Sequence, residues 1–172
     1  MSVLRQFCRK MNMASTTRPI ASCRVFRTST IDSSTTTTLS KAISALGSVP
    51  EGFRVFLYVY DNETTKRDAT GVPDPTHSVP AAHDLFMVTR YARSASPHEE
   101  VHIVARAVYG PCFSTAIYEG LALSVEGNWK GEDMAMHAAT LQRRGKLPGP
   151  AVLLDEEKFR ALPDDIRFPA AG

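Results

Sequence analysis

Apolar residues recur along the chain with two different periods. Leu39, Ile43 and Leu46 follow helical spacing, and Gly47 ends that run. Residues 53–60 (FRVFLYVY) are dense in β-branched and aromatic side chains, which predicts a strand closed by Asp61-Asn62. Residues 61–82 hold Gly71, Pro73, Pro75 and Pro80 and read as a long loop. A second strand is predicted over 84–91 (DLFMVTRY). Ser96-Pro97 then opens a helix that runs to Tyr109, where Gly110-Pro111 stops it. Val101, Val104, Ala105 and Val108 give this helix an apolar stripe. Further helices are predicted over 113–125, over 133–144 and, more briefly, over 155–162. A helix, two strands and then helices is the order of an α+β domain.

Composition narrows the class. The chain has 172 residues, enough for one domain with its own core. Apolar residues make up 43% and charged residues 22%, which fits a globular protein and not a disordered or collagen-like one. A formal net charge of +2 is too small to point to nucleic acid. The basic excess is uneven. Arg5, Arg9, Lys10, Arg18, Arg24 and Arg27 all precede the first acid, Asp32, so the remainder is net acidic. Residues 1–38 are also rich in Ser and Thr and end in the run Thr35 to Thr38. Such a segment buries too little apolar area to offset its ordering entropy, so a tail is expected ahead of a folded domain spanning 39–172. An Arg- and Ser-rich, acid-free start has the composition of a mitochondrial presequence; a plain tail on a cytoplasmic protein is the other reading. No apolar stretch approaches the length of a membrane span. Cys8, Cys23 and Cys112 form no CxxC pair and suggest neither a disulfide framework nor a thiolate zinc site.

The candidate chemistry lies in HEEVH, His98 to His102. Four residues of helix turn about 400° and rise about 6 Å, so the two imidazoles project from one face about a turn apart. Rings so placed converge on one ion and supply half of the tetrahedral set that zinc prefers. Glu99 reaches beside such a metal, where a carboxylate takes a proton from water as it attacks a carbonyl. The same residues also fit a capping box, with Ser96 as N-cap, Pro97 in the first turn and Glu99 at the third position. On that reading His98 and His102 are surface residues of an amphipathic helix. Residue types and spacing leave both readings open.

Glu119 follows in Tyr118-Glu119-Gly120-Leu121-Ala122. A carboxylate on an apolar helix beside Leu121, Ala122 and Val125 needs a charge partner, because burying it alone is costly. HEEVH followed by EGLALSVEG (119–127) resembles the gluzincins, and among them the peptidase MA-like domains, over residues 50–172. The resemblance implies a small zincin-like domain: a short sheet, then the HExxH helix, then a Glu-bearing helix. It implies one zinc ion on His98, His102 and Glu119, Glu99 as general base, and hydrolysis of a peptide or protein substrate. It also implies that the strand at 84–91 is a sheet edge lining the cleft, where an extended peptide pairs through its main chain. The alternative on the same fold is a catalytically inactive binding or interaction module.

The chain departs from the family pattern in places. Glu100 stands where the motif is usually apolar and is expected to be exposed or paired, with Arg93 or Lys130 as partners. His98 begins its helix with almost no preceding turn. Glu126 is expected to close the second helix on its exposed side. The chain stops at 168–172, where relatives lead into another packed helix, so it reads as a truncated or naturally short form. No tyrosine follows Glu119. That leaves His137, Arg143 and Arg144 as candidate oxyanion donors, and Tyr109 as either a neighbour of the ligands or plain core.

Overall fold

The computed structural model describes residues 24–26, 33–92, 97–112 and 114–172. The presequence expected near the N-terminus, Cys8, Cys23, Arg93 and Ser96 lie outside these residues. The described chain is α+β. Its main sheet contains β1 (Arg24–Phe26), β2 (Phe56–Tyr60), β3 (Thr76–Val79) and β4 (Asp84–Val88), in the spatial order β1, β2, β4, β3. β2 and β4 run parallel, with Leu57 opposite Leu85. β1 is antiparallel to β2, and β3 is antiparallel to β4, with Ser78 opposite Leu85. Every residue of β4 is buried, as suits a strand covered on both faces. One face carries Leu57, Leu85 and Met87 against Ile103; the other carries Tyr58, Tyr60, Phe86 and Val88.

The helices are α1 (Ser33–Leu46), α2 (Glu63–Thr70), α3 (Thr89–Ala92), α4 (His98–Tyr109), α5 (Thr115–Glu126), α6 (Met134–Arg143), α7 (Pro150–Leu153), α8 (Glu156–Ala161) and α9 (Asp164–Ala171). A small hairpin, β5 (Asn128–Trp129) and β6 (Glu132–Asp133), links α5 to α6. Helix α4 carries HEEVH. Its apolar stripe is buried: Ile103 meets the sheet, while Val101, Val104 and Ala105 meet Ala42 and Leu46 of α1 and Ala122 of α5. Burial of Val101, Ile103 and Val104 is worth about 2 kcal/mol each. It also fixes the rotation of α4, and with it the side on which the histidines emerge. Among the described residues no helix is long and apolar enough to cross a membrane.

The structure departs from the sequence reading in several elements. Residues 61–82 are not a loop. Asn62 caps α2 through Oδ1, which accepts from the Thr65 amide at 2.9 Å, and Gly71 ends it at φ 75. The one buried side chain of α2 is Lys66, so hydropathy has no stripe to detect. The Lys66 Nζ donates to the Asp74 carbonyl and to Nδ1 of His77, each at 2.6 Å. β3 is the second missed element, a short polar strand between Pro75 and Pro80. It overturns the expectation for 84–91: that segment ends as a strand at Val88, and β3 covers its outer side, so the sheet edge is β3. The expected boundary at residue 39 falls inside α1, and Thr38 is buried with its hydroxyl donating to Glu100 Oε1 at 2.7 Å. Finally, α9 packs on α5, so closely that a Cβ added to Gly120 would lie 2.2 Å from the Ala171 carbonyl oxygen.

Candidate metal centre

Helix α4 begins at His98. Pro97 precedes it without a side-chain cap, and the Val101 amide donates to the Pro97 carbonyl at 2.9 Å. Glu99 reaches across to β3. Its Oε2 accepts a hydrogen bond from the Ser78 hydroxyl of β3 at 2.7 Å. Helix α5 is set by Ser114, whose hydroxyl oxygen accepts from the Ile117 amide, and by Gly127 at φ 81. Ala122 of α5 packs into the α4 side and Gly120 faces α9, which leaves Glu119 directed at the histidines.

The three candidate ligands come together. Glu119 Oε2 lies 3.2 Å from His98 Nε2 and 3.7 Å from His102 Nε2. The ligand atoms of all three residues lie within 4.8 Å of one another. Zinc bonds of 2.0–2.2 Å in a tetrahedron require ligand atoms about 3.3–3.6 Å apart. The two distances to Glu119 bracket that requirement, and two imidazoles with one carboxylate are a donor set that zinc accepts.

Two further residues touch the candidate ligands. Glu126, expected on the exposed side of α5, instead places Oε2 3.2 Å from His98 Nδ1. His98 therefore stands between two carboxylates. Burial pulls its pKa down, but Glu119 and Glu126 outweigh burial and lift it to about 10. Glu119 answers in the opposite sense: burial raises it, and the two imidazoles bring it down to about 2. Without metal, a proton on His98 supplies the positive charge that this pair of carboxylates calls for. The second ligand ring is held differently. The His102 imidazole stacks on Tyr118, with centroids 4.2 Å apart and planes 20° apart, and the Tyr118 hydroxyl donates to the His102 carbonyl at 3.0 Å. His102 Nδ1 is buried with no hydrogen-bond partner among the described residues, whereas the His98 Nδ1 faces the Glu126 carboxylate.

Glu100 is neither exposed nor paired with Lys130, which sits over the Trp129 ring. Its carboxyl is buried against Thr38, and burial pushes its pKa up to about 7 even though the Thr38 hydrogen bond opposes the rise. The remaining candidates are engaged elsewhere. Tyr109 is 64% exposed, and its hydroxyl donates to the Leu46 carbonyl at 2.5 Å, joining the ends of α4 and α1. His137 Nε2 lies 3.1 Å from Glu132 Oε2. Arg143, exposed at the end of α6, donates to Thr140 Oγ1 at 3.0 Å. Cys112 is an exposed free thiol.

Sequence reasoning did not assign Ser78, Tyr118 or Glu126 to the site. Glu126 carried a signal: it lies seven residues after Glu119, two helical turns along the same face. Ser78 carried none, because its strand was not visible. No family model matches this chain, and no curated protein or solved structure matches it either.

Proposed function

We propose that this protein is a zinc-dependent peptidase of the gluzincin type, with His98, His102 and Glu119 as ligands and Glu99 as general base. The observation that carries the reading is the convergence of His98 Nε2 and His102 Nε2 on one Glu119 oxygen at 3.2 and 3.7 Å. A zincin-like arrangement is supported by a mixed sheet whose antiparallel edge strand, β3, touches the HEEVH helix through Ser78 and Glu99.

Zinc bound here supplies Lewis acidity toward a carbonyl and makes water a better proton donor. The chain does the rest. Glu126 accepts the Nδ1 proton of His98 and so leaves Nε2 free to act as a ligand. Glu99 keeps one oxygen on Ser78 and uses the other to take a proton from water as that water adds to the peptide carbon. The same carboxyl then returns the proton to the departing amine nitrogen as the C–N bond breaks. The outer edge of β3, unpaired among the described residues, holds an extended substrate through main-chain hydrogen bonds.

A second reading keeps the metal and drops the chemistry: a zincin-fold binding module. The positions of Tyr109, His137 and Arg143 favour it, because none of the three donates into the cluster. Metal analysis and peptide hydrolysis decide between them. Purified protein is expected to hold one zinc per chain, and His102→Ala or Glu119→Ala to lose most of it. Glu99→Gln is expected to keep zinc and lose about 100-fold or more in hydrolysis of a mixed fluorogenic peptide set. Wild-type protein without zinc would sink the metal reading. Zinc with undiminished hydrolysis in Glu99→Gln would sink the general base. Zinc without hydrolysis in the wild type would select the binding module.

A further inference from the structure

We propose that Ser78 is the positioning residue for Glu99, so that the edge strand of the sheet sets the aim of the base. This rests on the reading of Glu99 as general base. Ser78 lies opposite Leu85 in the β3–β4 register, which puts its side chain on the face that meets α4. There the hydroxyl donates to Glu99 Oε2 at 2.7 Å. A donor fixed on one oxygen makes the two carboxylate oxygens unequal: one is held, and the other is presented to water. It also removes the rotation about the last side-chain bond that would otherwise spread the carboxylate over several orientations.

The strand that supplies this donor is itself held from behind. His77, the preceding residue, faces the opposite side of the sheet, where its ring stacks on Phe86 with centroids 4.7 Å apart. Its Nδ1 meets the Nζ of Lys66, a side chain with no exposed surface, and Lys66 is tied in turn to the Asp74 carbonyl. Adjacent residues of β3 are thus gripped from both faces, His77 by a buried cation and Ser78 by Glu99. A substrate paired along the outer edge of β3 would lie on the same backbone that aims the base. Substrate and carboxylate then share one reference frame, which is what an attack geometry held to within about 0.5 Å requires.

The test begins without activity. In metal-free protein, a double-mutant cycle of Ser78→Ala and Glu99→Ala in urea unfolding is expected to show coupling of about fivefold in the folding equilibrium constant. In zinc-loaded protein, Ser78→Ala is expected to keep one zinc and to lower kcat about 10- to 100-fold, with KM within about twofold. Ser78→Thr, which keeps the hydroxyl, is expected to recover most of the loss, and Ser78→Ala is expected to add nothing on top of Glu99→Gln. Absence of coupling in an active wild type overturns the role of Ser78 and leaves the peptidase reading intact. So does a loss confined to KM, or an unchanged kcat in Ser78→Ala. Coupling present in a zinc-bound wild type that hydrolyses nothing overturns the peptidase reading, and the positioning role falls with it.

Discussion

Gly120→Ala probes the closest approach in the fold. Gly120 sits inside α5, where alanine is worth about 1 kcal/mol over glycine in helix propensity. Against that gain, the new Cβ would stand 2.2 Å from the Ala171 carbonyl oxygen and 2.8 Å from its carbonyl carbon. Both are backbone atoms, so no rotamer change relieves the clash, and the end of α9 must withdraw by about 1 Å to restore ordinary van der Waals separation. That withdrawal loosens the buried Pro169 and the packing of Phe168 on Trp129, whose rings are 4.7 Å apart. Overpacking of this kind costs about 1–3 kcal/mol, and disturbed neighbours add to it. With the disturbed neighbours about offsetting the propensity gain, we expect a net loss of about 1–3 kcal/mol, or a Tm lower by about 2–12 °C. The assay is urea unfolding followed in parallel by far-ultraviolet circular dichroism and by fluorescence. Trp129 is the single tryptophan of the chain and lies against α9, so its emission reports the disturbed contact directly. A lower midpoint, an unchanged slope and a shifted native emission are expected. A variant as stable as the wild type or more stable, with unchanged emission, would refute the packing of α9 against Gly120.

Four further outcomes can be checked. Glu126→Ala should weaken zinc binding about 10- to 100-fold in competition with a chromophoric chelator, because His98 loses the acceptor that orients it; unchanged affinity would remove Glu126 from the site. Thr38→Val leaves the buried Glu100 carboxyl without its hydroxyl donor and should cost about 1–3 kcal/mol, much of it recovered by adding Glu100→Leu; a neutral single variant would argue against that buried pair. Acid should destabilise the fold through His77: burial first, then the neighbouring Lys66 charge, depress its pKa from 6.5 to about 4. The unfolded chain therefore binds a proton that the folded chain refuses, and stability falls as pH drops from about 6.5 to 4, by about 1–2 kcal/mol after allowance for partial exposure. His77→Gln should flatten that limb, and an identical limb in the variant would contradict the assignment. Tyr118→Phe keeps the ring on His102 and loses only the bond to the His102 carbonyl, so zinc affinity should change by less than about threefold, whereas Tyr118→Ala should lower it further; equal losses in both variants would assign the effect to the hydroxyl instead.

How much of this was legible in the sequence follows from what each signal depends on. HEEVH was readable because four-residue spacing is a property of one helix, and Val101, Val104 and Ala105 marked that helix by burying one stripe. Glu119 was picked out by the resemblance that EGLA carries and by its distance from HEEVH, and its apolar surroundings agreed with a buried, partnered carboxylate. The helices over 113–125, 133–144 and 155–162 stand within two residues of α5, α6 and α8, because Ser114, Asp133 and Asp155 cap them locally. Helix α2 was illegible for a definite reason: its buried residue is a lysine satisfied by Asp74 and His77, partners that only the fold supplies. β3 failed for the opposite reason, being too short and too polar to show a period. With β3 hidden, the edge of the sheet was assigned one strand too far inward and Ser78 had no element to stand on. Glu126 was misjudged because its partner, His98, lies 28 residues earlier on another helix.

Lys66 has one more consequence. Lys41, Lys130, Lys146 and Lys158 are all exposed, whereas Lys66 is fully enclosed. An amine-reactive label applied to native protein would therefore modify those four promptly and reach Lys66 only when the back of the sheet opens. The rate at which mass is gained at Lys66 is then a clock for that opening, slower by the free energy of the local unfolding it requires. Because the same side chain grips His77 beneath the edge strand, the clock also times how often the proposed peptide-binding edge comes loose from the sheet.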